Sequence, residues 1–152
     1  MMKRIAVFLF LVSAVWFSSP TRAMGAGFLV FQQGAKAMGM AGAFTATADD
    51  PSAIFNNPAG ITQLSGTHVS IGNTFIRNDQ KYDVDSYHEE MASRTFFLPH
   101  LYLTHEMNDR LTLGFGYYTP FGIGTDWADN AVGNSVANEA HIKTYDFNPN
   151  IA

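Results

Sequence analysis

The chain has 152 residues, a formal net charge of −4, no cysteine, and 14% charged residues, against about 25% in an average soluble domain. Without cysteine there are no disulfides, thiolate metal sites or cysteine nucleophiles. So few charges leave too little polar surface for an ordinary globule, and the acidic balance argues against a nucleic-acid partner, which needs clustered Lys and Arg.

At the N-terminus, Lys3 and Arg4 precede an apolar run from Ile5 to Phe17 broken only by Ser13, then Ser18, Ser19, Pro20 and small residues. This is the layout of a secretory signal peptide over residues 1–25, cleaved between Ala23 and Ala26. An uncleaved anchor is the weaker alternative, because a bilayer span takes roughly 20 apolar residues. Removing Lys3, Arg4 and Arg22 leaves 6 basic against 13 acidic residues, a mature charge of −7.

Residues 26–66 are rich in Ala and Gly. A helix is predicted over Gln32–Ala46, weakened by Gly34, Gly39 and Gly42 at about 1 kcal/mol each relative to Ala. A second start follows at Asp50-Pro51-Ser52, with Asp50 or Ser52 as cap, and ends at Asn56 or Asn57 because Pro58 disfavours helix at the residue before it. About 40 residues of this kind bury too little to fold alone, which suggests a plug.

From Thr67 the period changes to two. Val69, Ile71 and Phe75 share one face of the first strand. The next strand covers Thr95–His105; its phase is ambiguous and Pro99 implies a break in pairing or a bend. In the third, Leu111, Leu113, Phe115 and Tyr117 alternate with Thr112, Gly114, Gly116 and Tyr118. A fourth, weaker strand runs from about Glu139 to Phe147. The connections are long and polar over 77–94, tight at Asn108-Asp109, and long and polar again over 120–138. Short turns on one side and long loops on the other fit an all-β transmembrane barrel better than a soluble β-sandwich. Three to four strands cannot close a barrel, since known ones have at least about 8. The chain therefore reads as the N-terminal piece of a longer protein.

No nucleophile elbow or phosphate loop is present, and the five histidines form no H-E-x-x-H motif. Asp49-Asp50 reads as an N-cap with a solvated neighbour rather than a calcium site. No enzyme, metal or cofactor is expected.

The stretch Met38–Gly66, "MGMAGAFTATADDPSAIFNNPAGITQLSG", with "YYTPFG" (117–122) and "FNPNIA" (147–152), resembles the long-chain fatty acid transporters of Gram-negative outer membranes, a family that includes channels for toluene and related hydrocarbons. The resemblance spans most of the mature chain. It implies a fourteen-stranded antiparallel barrel with a small N-terminal helical hatch, of which residues 67–152 are the first strands. It also implies passive uptake of a hydrophobic small molecule, foremost a long-chain fatty acid, in an outer membrane with lipid and lipopolysaccharide around the barrel, by a full-length monomer. Asn57, Pro58 and Ala59 match the Asn-Pro-Ala hatch motif. Phe28, Leu29 and Phe31 would be apolar contacts, and Pro99 and the Gly114/Gly116 pair are candidate kink sites or, equally, bulge or close-packing positions. The alternative is a structural or adhesive barrel that binds partners through its acidic loops.

Overall fold

The computed structural model describes residues 27, 29–84, 86–129 and 138–152; the signal-peptide expectation and Phe28 lie outside them. Two helices, α1 (Ala35–Gly39) and α2 (Ala53–Asn56), and a 3-10 turn (Pro58–Gln63) precede eight strands. These are β1 (Thr67–Asn78), β2 (Lys81–Val84), β3 (Tyr87–Glu90), β4 (Arg94–Asn108), β5 (Leu111–Tyr118), β6 (Gly122–Asp126), β7 (Glu139–Lys143) and β8 (Asp146–Ile151). A four-stranded antiparallel sheet has the order β1-β4-β5-β8, and β2-β3 and β6-β7 form two hairpins.

The sheet has two unlike faces. Val69, Leu103, Phe115 and Pro149 are paired across the four strands, as are Ile71, Leu101, Tyr117 and Phe147. Period two puts all of these on one face, which is bare: Ile71 is 78% exposed, Phe147 69% and Ile151 77%. The other face carries Leu98, His100, Tyr102, Thr104, Thr112, Gly116 and Tyr118, and residues 29–64 cover it. The apolar face is left open while a face with His and Thr is buried, the reverse of a soluble sheet.

The core lies between residues 29–64 and the covered face. It comprises Ala37, Phe44, Ala48, Ala53, Ile54, Ile61, Tyr102 and Tyr118, with Phe55 edge-on to Tyr118 at 5.1 Å. Gly114 and Gly116 seat this contact. A Cβ on Gly114 would stand 2.9 Å from Ile61 Cδ1, and one on Gly116 would stand 2.8 Å from Ile54 Cγ2. They are close-packing positions against the helical segment.

Several expectations are corrected. The helix over Gln32–Ala46 shrinks to five residues, because Ala41 (φ 53°) and Gly42 (φ 82°) turn the backbone left-handed. Asp50 does not cap α2; its Oδ1 accepts from Ser52 N and Oγ at 2.7 and 2.6 Å, and Ser52 holds the cap position without a side-chain cap bond. Pro99 breaks no pairing with β1: that ladder runs in register through Asn73↔Pro99. The β4–β5 ladder ends at Leu101↔Tyr117, so no bond is lost on that side, and the register shift falls between Glu106 and Asn108. The fourth strand is two strands, β7 and β8, in different sheets, and the long polar connections hold hairpins.

Gly116→Val should clash with Ile54 and lower stability by about 1–3 kcal/mol, read as a shift in thermal unfolding of the complete protein in detergent. Adding Ile54→Ala should recover part of the loss; a double variant as weak as the sum of both singles would refute this packing.

Candidate functional site

The β5–β8 ladder ends at Tyr118↔Asp146 and the β6–β7 ladder resumes at Gly122↔Lys143. Between them, Thr119-Pro120-Phe121 departs from the ladder, Pro120 having no N–H to give it. Only Phe121 keeps a link across, donating its N–H to Thr144 Oγ1 at 3.3 Å and accepting from Thr144 N at 2.8 Å. The carbonyls of Thr119 and Pro120 turn to the covered face.

The N-terminal segment takes both. Val30 N donates to Pro120 O at 2.8 Å, and Gln33 Nε2 donates to Thr119 O at 2.8 Å and to Val30 O at 2.9 Å. Tyr102 Oη of β4 donates to Gln33 O at 2.8 Å, and Thr74 Oγ1 of β1 donates to Gln32 O at 2.7 Å. Gln33 is fully buried. Val30, Gln32 and Gln33 are thus fastened to β1, β4 and the bend after β5. The side chains that alternate with these anchors stay open: Leu29 is 42% and Phe31 54% exposed. Phe31 lines a 260 Å³ pocket with Ala37, Met38, Ala41 and Gly42. A more polar cavity of 520 Å³ lies between α1 and the wall, lined by Lys36, Ser52, Thr74 and His100 among others.

Asn57 joins α2 to the 3-10 turn. Its backbone is extended (φ −156°, ψ 87°), as the residue before proline prefers. Its Nδ2 donates to Thr45 O at 2.8 Å. Pro58 opens the 3-10 turn and, like Ala59, is exposed. Asn56 Nδ2 is buried without a hydrogen-bond partner. Lys36 Nζ bonds Asp49 Oδ2 at 2.6 Å, tying α1 to the turn before α2, and this bond holds the Asp49 carboxyl below its ordinary 3.8.

Of the residues singled out from the sequence, Leu29 and Phe31 lie on the tied segment, and Gly114 and Gly116 beneath Ile54 and Ile61. Asn57-Pro58-Ala59 lies one layer away, within the helical segment, and Pro99 is continuous with the wall. Gln33, Tyr102, Thr74 and the Thr119/Pro120 carbonyls were not foreseen. The visible trace of them was Gln32-Gln33, a pair of amides between an apolar run and a glycine.

An apolar bare face and a polar-lined face covered by a helical segment fit a piece of an outer-membrane β-barrel protein. The family model for outer membrane protein transport protein (OMPP1/FadL/TodX) matches residues 17–152, and the chain belongs to that family. It is also 32% identical over 111 residues to NMB0088 of Neisseria meningitidis serogroup B (strain ATCC BAA-335 / MC58), which is named as an outer membrane protein. That match covers 66% of this chain and 24% of the relative, so the chain spans about a quarter of its length. No solved structure matches the chain significantly. The protein is located in the Gram-negative outer membrane.

Gln33→Leu should leave the Thr119 carbonyl unpaired and weaken the segment's attachment by about 1–3 kcal/mol, seen as faster amide exchange at Val30 with little change in β4. Asn57→Ala should cost about 1 kcal/mol. A depressed carboxyl contributes above its unfolded value and is lost as pH falls through its folded one. Exchange at Ala35–Gly39 should therefore rise as pH drops below 3.8 in the native protein, and Asp49→Asn should show no such step.

Proposed function

We propose that the complete protein is an outer-membrane channel for passive uptake of hydrophobic solutes, with long-chain fatty acids as the substrate class. In this reading β1, β4, β5 and β8 open the wall of a fourteen-stranded barrel, residues 26–66 are its hatch, and Asn57-Pro58-Ala59 braces the hatch from within through Asn57 and Thr45. The β4–β5 turn is periplasmic, and the hairpins β2–β3 and β6–β7 stand outside the cell. Leu29 and Phe31 meet the solute.

The observation that carries the reading is the fastening of an otherwise apolar segment by a few polar bonds. Four hydrogen bonds link residues 30–33 to the wall and the bend, worth on the order of 4 kcal/mol together. Burial of Val30 adds about 2 kcal/mol. A solute that takes the segment's place must supply a comparable sum. At about 0.8 kcal/mol per buried methylene this asks for about eight methylenes, which a long acyl chain has and a short one lacks.

The complete protein in liposomes should speed entry of oleate and leave hexanoate near the protein-free rate; no acceleration for any long-chain acid or aromatic hydrocarbon would defeat the reading. Substituting both Asn57→Ala and Pro58→Ala should cut uptake several-fold while the amount of folded protein stays within about twofold, since one lost hydrogen bond is worth about 1 kcal/mol. A purely structural or adhesive barrel would be indifferent to that change.

A further inference from the structure

The hairpin β6–β7 does not continue the sheet beyond the bend; it crosses over it. Leu98, Phe96 and Arg94 follow one another on the covered side of β4 by period two, where the β4–β5 ladder has already ended. The hairpin meets all three. A Cβ on Gly122 would stand 3.0 Å from Leu98 Cγ, so glycine lets the root of β6 rest on that side chain. The Phe96 and His141 rings are 6.2 Å apart. Arg94 pairs with Asp126 of β6 through Nη2, and its Nη1 lies 3.6 Å from Glu139 Oε1 and 3.3 Å from His141 Nε2 on β7. Two more bonds reach β6: Asn78 Nδ2 of β1 donates to Gly124 O at 3.0 Å, and Ala92 N to Asp126 O at 2.8 Å.

These charges act differently from those of β2–β3. There Lys81 faces Glu90 and His88 faces Asp83, each its cross-strand partner, so the pairs hold that hairpin's own strands together. Arg94 joins the wall to a separate hairpin. The side chain of Asp126 is only 24% exposed, where a charge-assisted bond counts for more than at an open surface. The bend is where two attachments meet. The β8 ladder holds β5 as far as Tyr118, and the contacts with β1 and β4 hold the hairpin from Gly122 on. Residues 119–121 alone connect them, and the Pro120 ring fixes one of their few dihedrals. The direction of the hairpin therefore sets the planes of the Thr119 and Pro120 carbonyls, which accept from Gln33 and Val30. A hydrogen bond weakens steeply when bent, so turning the hairpin off β4 takes both carbonyls out of line.

We infer that Arg94 is a positioning residue for the N-terminal segment. By clamping β6–β7 onto the covered face it keeps the Thr119 and Pro120 carbonyls aimed at residues 30–33, and a hairpin released from Arg94 loosens that segment. These contacts lie within the chain, so the role holds whichever solute the channel passes.

Residue-resolved amide exchange on the complete protein in detergent tests it. Ala92 N reports on the clamp, Thr144 N on the bend and Val30 N on the segment, through their bonds to the carbonyls of Asp126, Phe121 and Pro120. Arg94→Gln should speed exchange at all three by a common factor of up to about fivefold, the upper range for a partly exposed ion pair, and leave the β4–β5 ladder unchanged. Arg94→Lys keeps the charge without the two-pronged reach and should fall between the two. Asp126→Asn should give the pattern of Arg94→Gln, and the double variant should exchange no faster than the faster single one, because both remove the same interaction. A rise at Ala92 with native rates at Thr144 and Val30 would overturn the coupling. Native rates at all three would overturn the clamp, and additive rises in the double variant would mark a general loss of structure and refute it equally. Oleate uptake by these variants should rise with exchange at Val30. Unchanged uptake beside the expected exchange pattern would count against the transport reading and leave the role of Arg94 standing.

Discussion

A β-strand that leaves its ladder must find other partners for its backbone, and in a membrane protein water does not supply them at the lipid face. Here the strand leaves between Tyr118 and Gly122. The carbonyls set free by the "TPF" bend accept hydrogen bonds from the N-terminal segment, from Val30 N and Gln33 Nε2. This exchange fixes where the segment lies, and with it the exposed Leu29 and Phe31. It also fixes where the hairpin β6–β7 starts. Phe121 and Thr144 close the far side of the gap, so the carbonyls of the bend are satisfied, while Thr119 Oγ1 and Gln33 Oε1 stay buried without partners.

The rest follows from the unlike faces of the sheet. The bare face carries the side chains that a soluble protein would bury, and the covered face carries Thr, His, Tyr and Gly. Such a covered face needs polar partners and room. Tyr102 and Thr74 find carbonyls of the N-terminal segment. Gly114 and Gly116 provide the room, letting Ile54 and Ile61 reach the backbone of the wall. Behind residues 29–33, which single hydrogen bonds hold, the helical segment is packed through large buried side chains, Phe44, Ile54 and Ile61 against Tyr102 and Tyr118, a close-packed contact.

Much of this was legible in the sequence. Alternation assigned the faces of β1 and β5 residue by residue, because nothing in those strands interrupts period two. The phase of β4 was not legible: Leu98 and Tyr102 lie on one face and Leu101 and Leu103 on the other, both apolar. Tertiary position decides, since the helical segment covers only the even-numbered side. Proline misled at Pro99 and informed at Pro120. At Pro99 the strand has no β5 neighbour, so the missing N–H costs no bond there. At Pro120 the neighbour exists and the ladder gives way. The helix over Gln32–Ala46 failed because propensity counts each glycine as a small local penalty. Ala41 and Gly42 instead act together, in a left-handed pair that returns the chain to Phe44 and the core. The Thr119 carbonyl that Gln33 binds was out of reach of any local reading, because it lies 86 residues away in the chain.

That distance bears on mechanism. The Thr119 and Pro120 carbonyls cannot stay unpaired in a dry cavity without a cost of about 1–3 kcal/mol each. When the N-terminal segment leaves, something must replace Val30 N and Gln33 Nε2. An acyl chain has no donor to offer, so it can occupy the volume but not the hydrogen bonds. Water restores part of them, and burial of the acyl chain must offset the rest. In the proposed channel, opening at this point would couple two events, arrival of an apolar chain beside Leu29 and Phe31 and entry of water at the bend. A solute that fills the cavity and also excludes water from Thr119 would hold the segment in place. On the proposed function, the bend would favour a narrow, flexible chain over a bulky solute of equal apolar area.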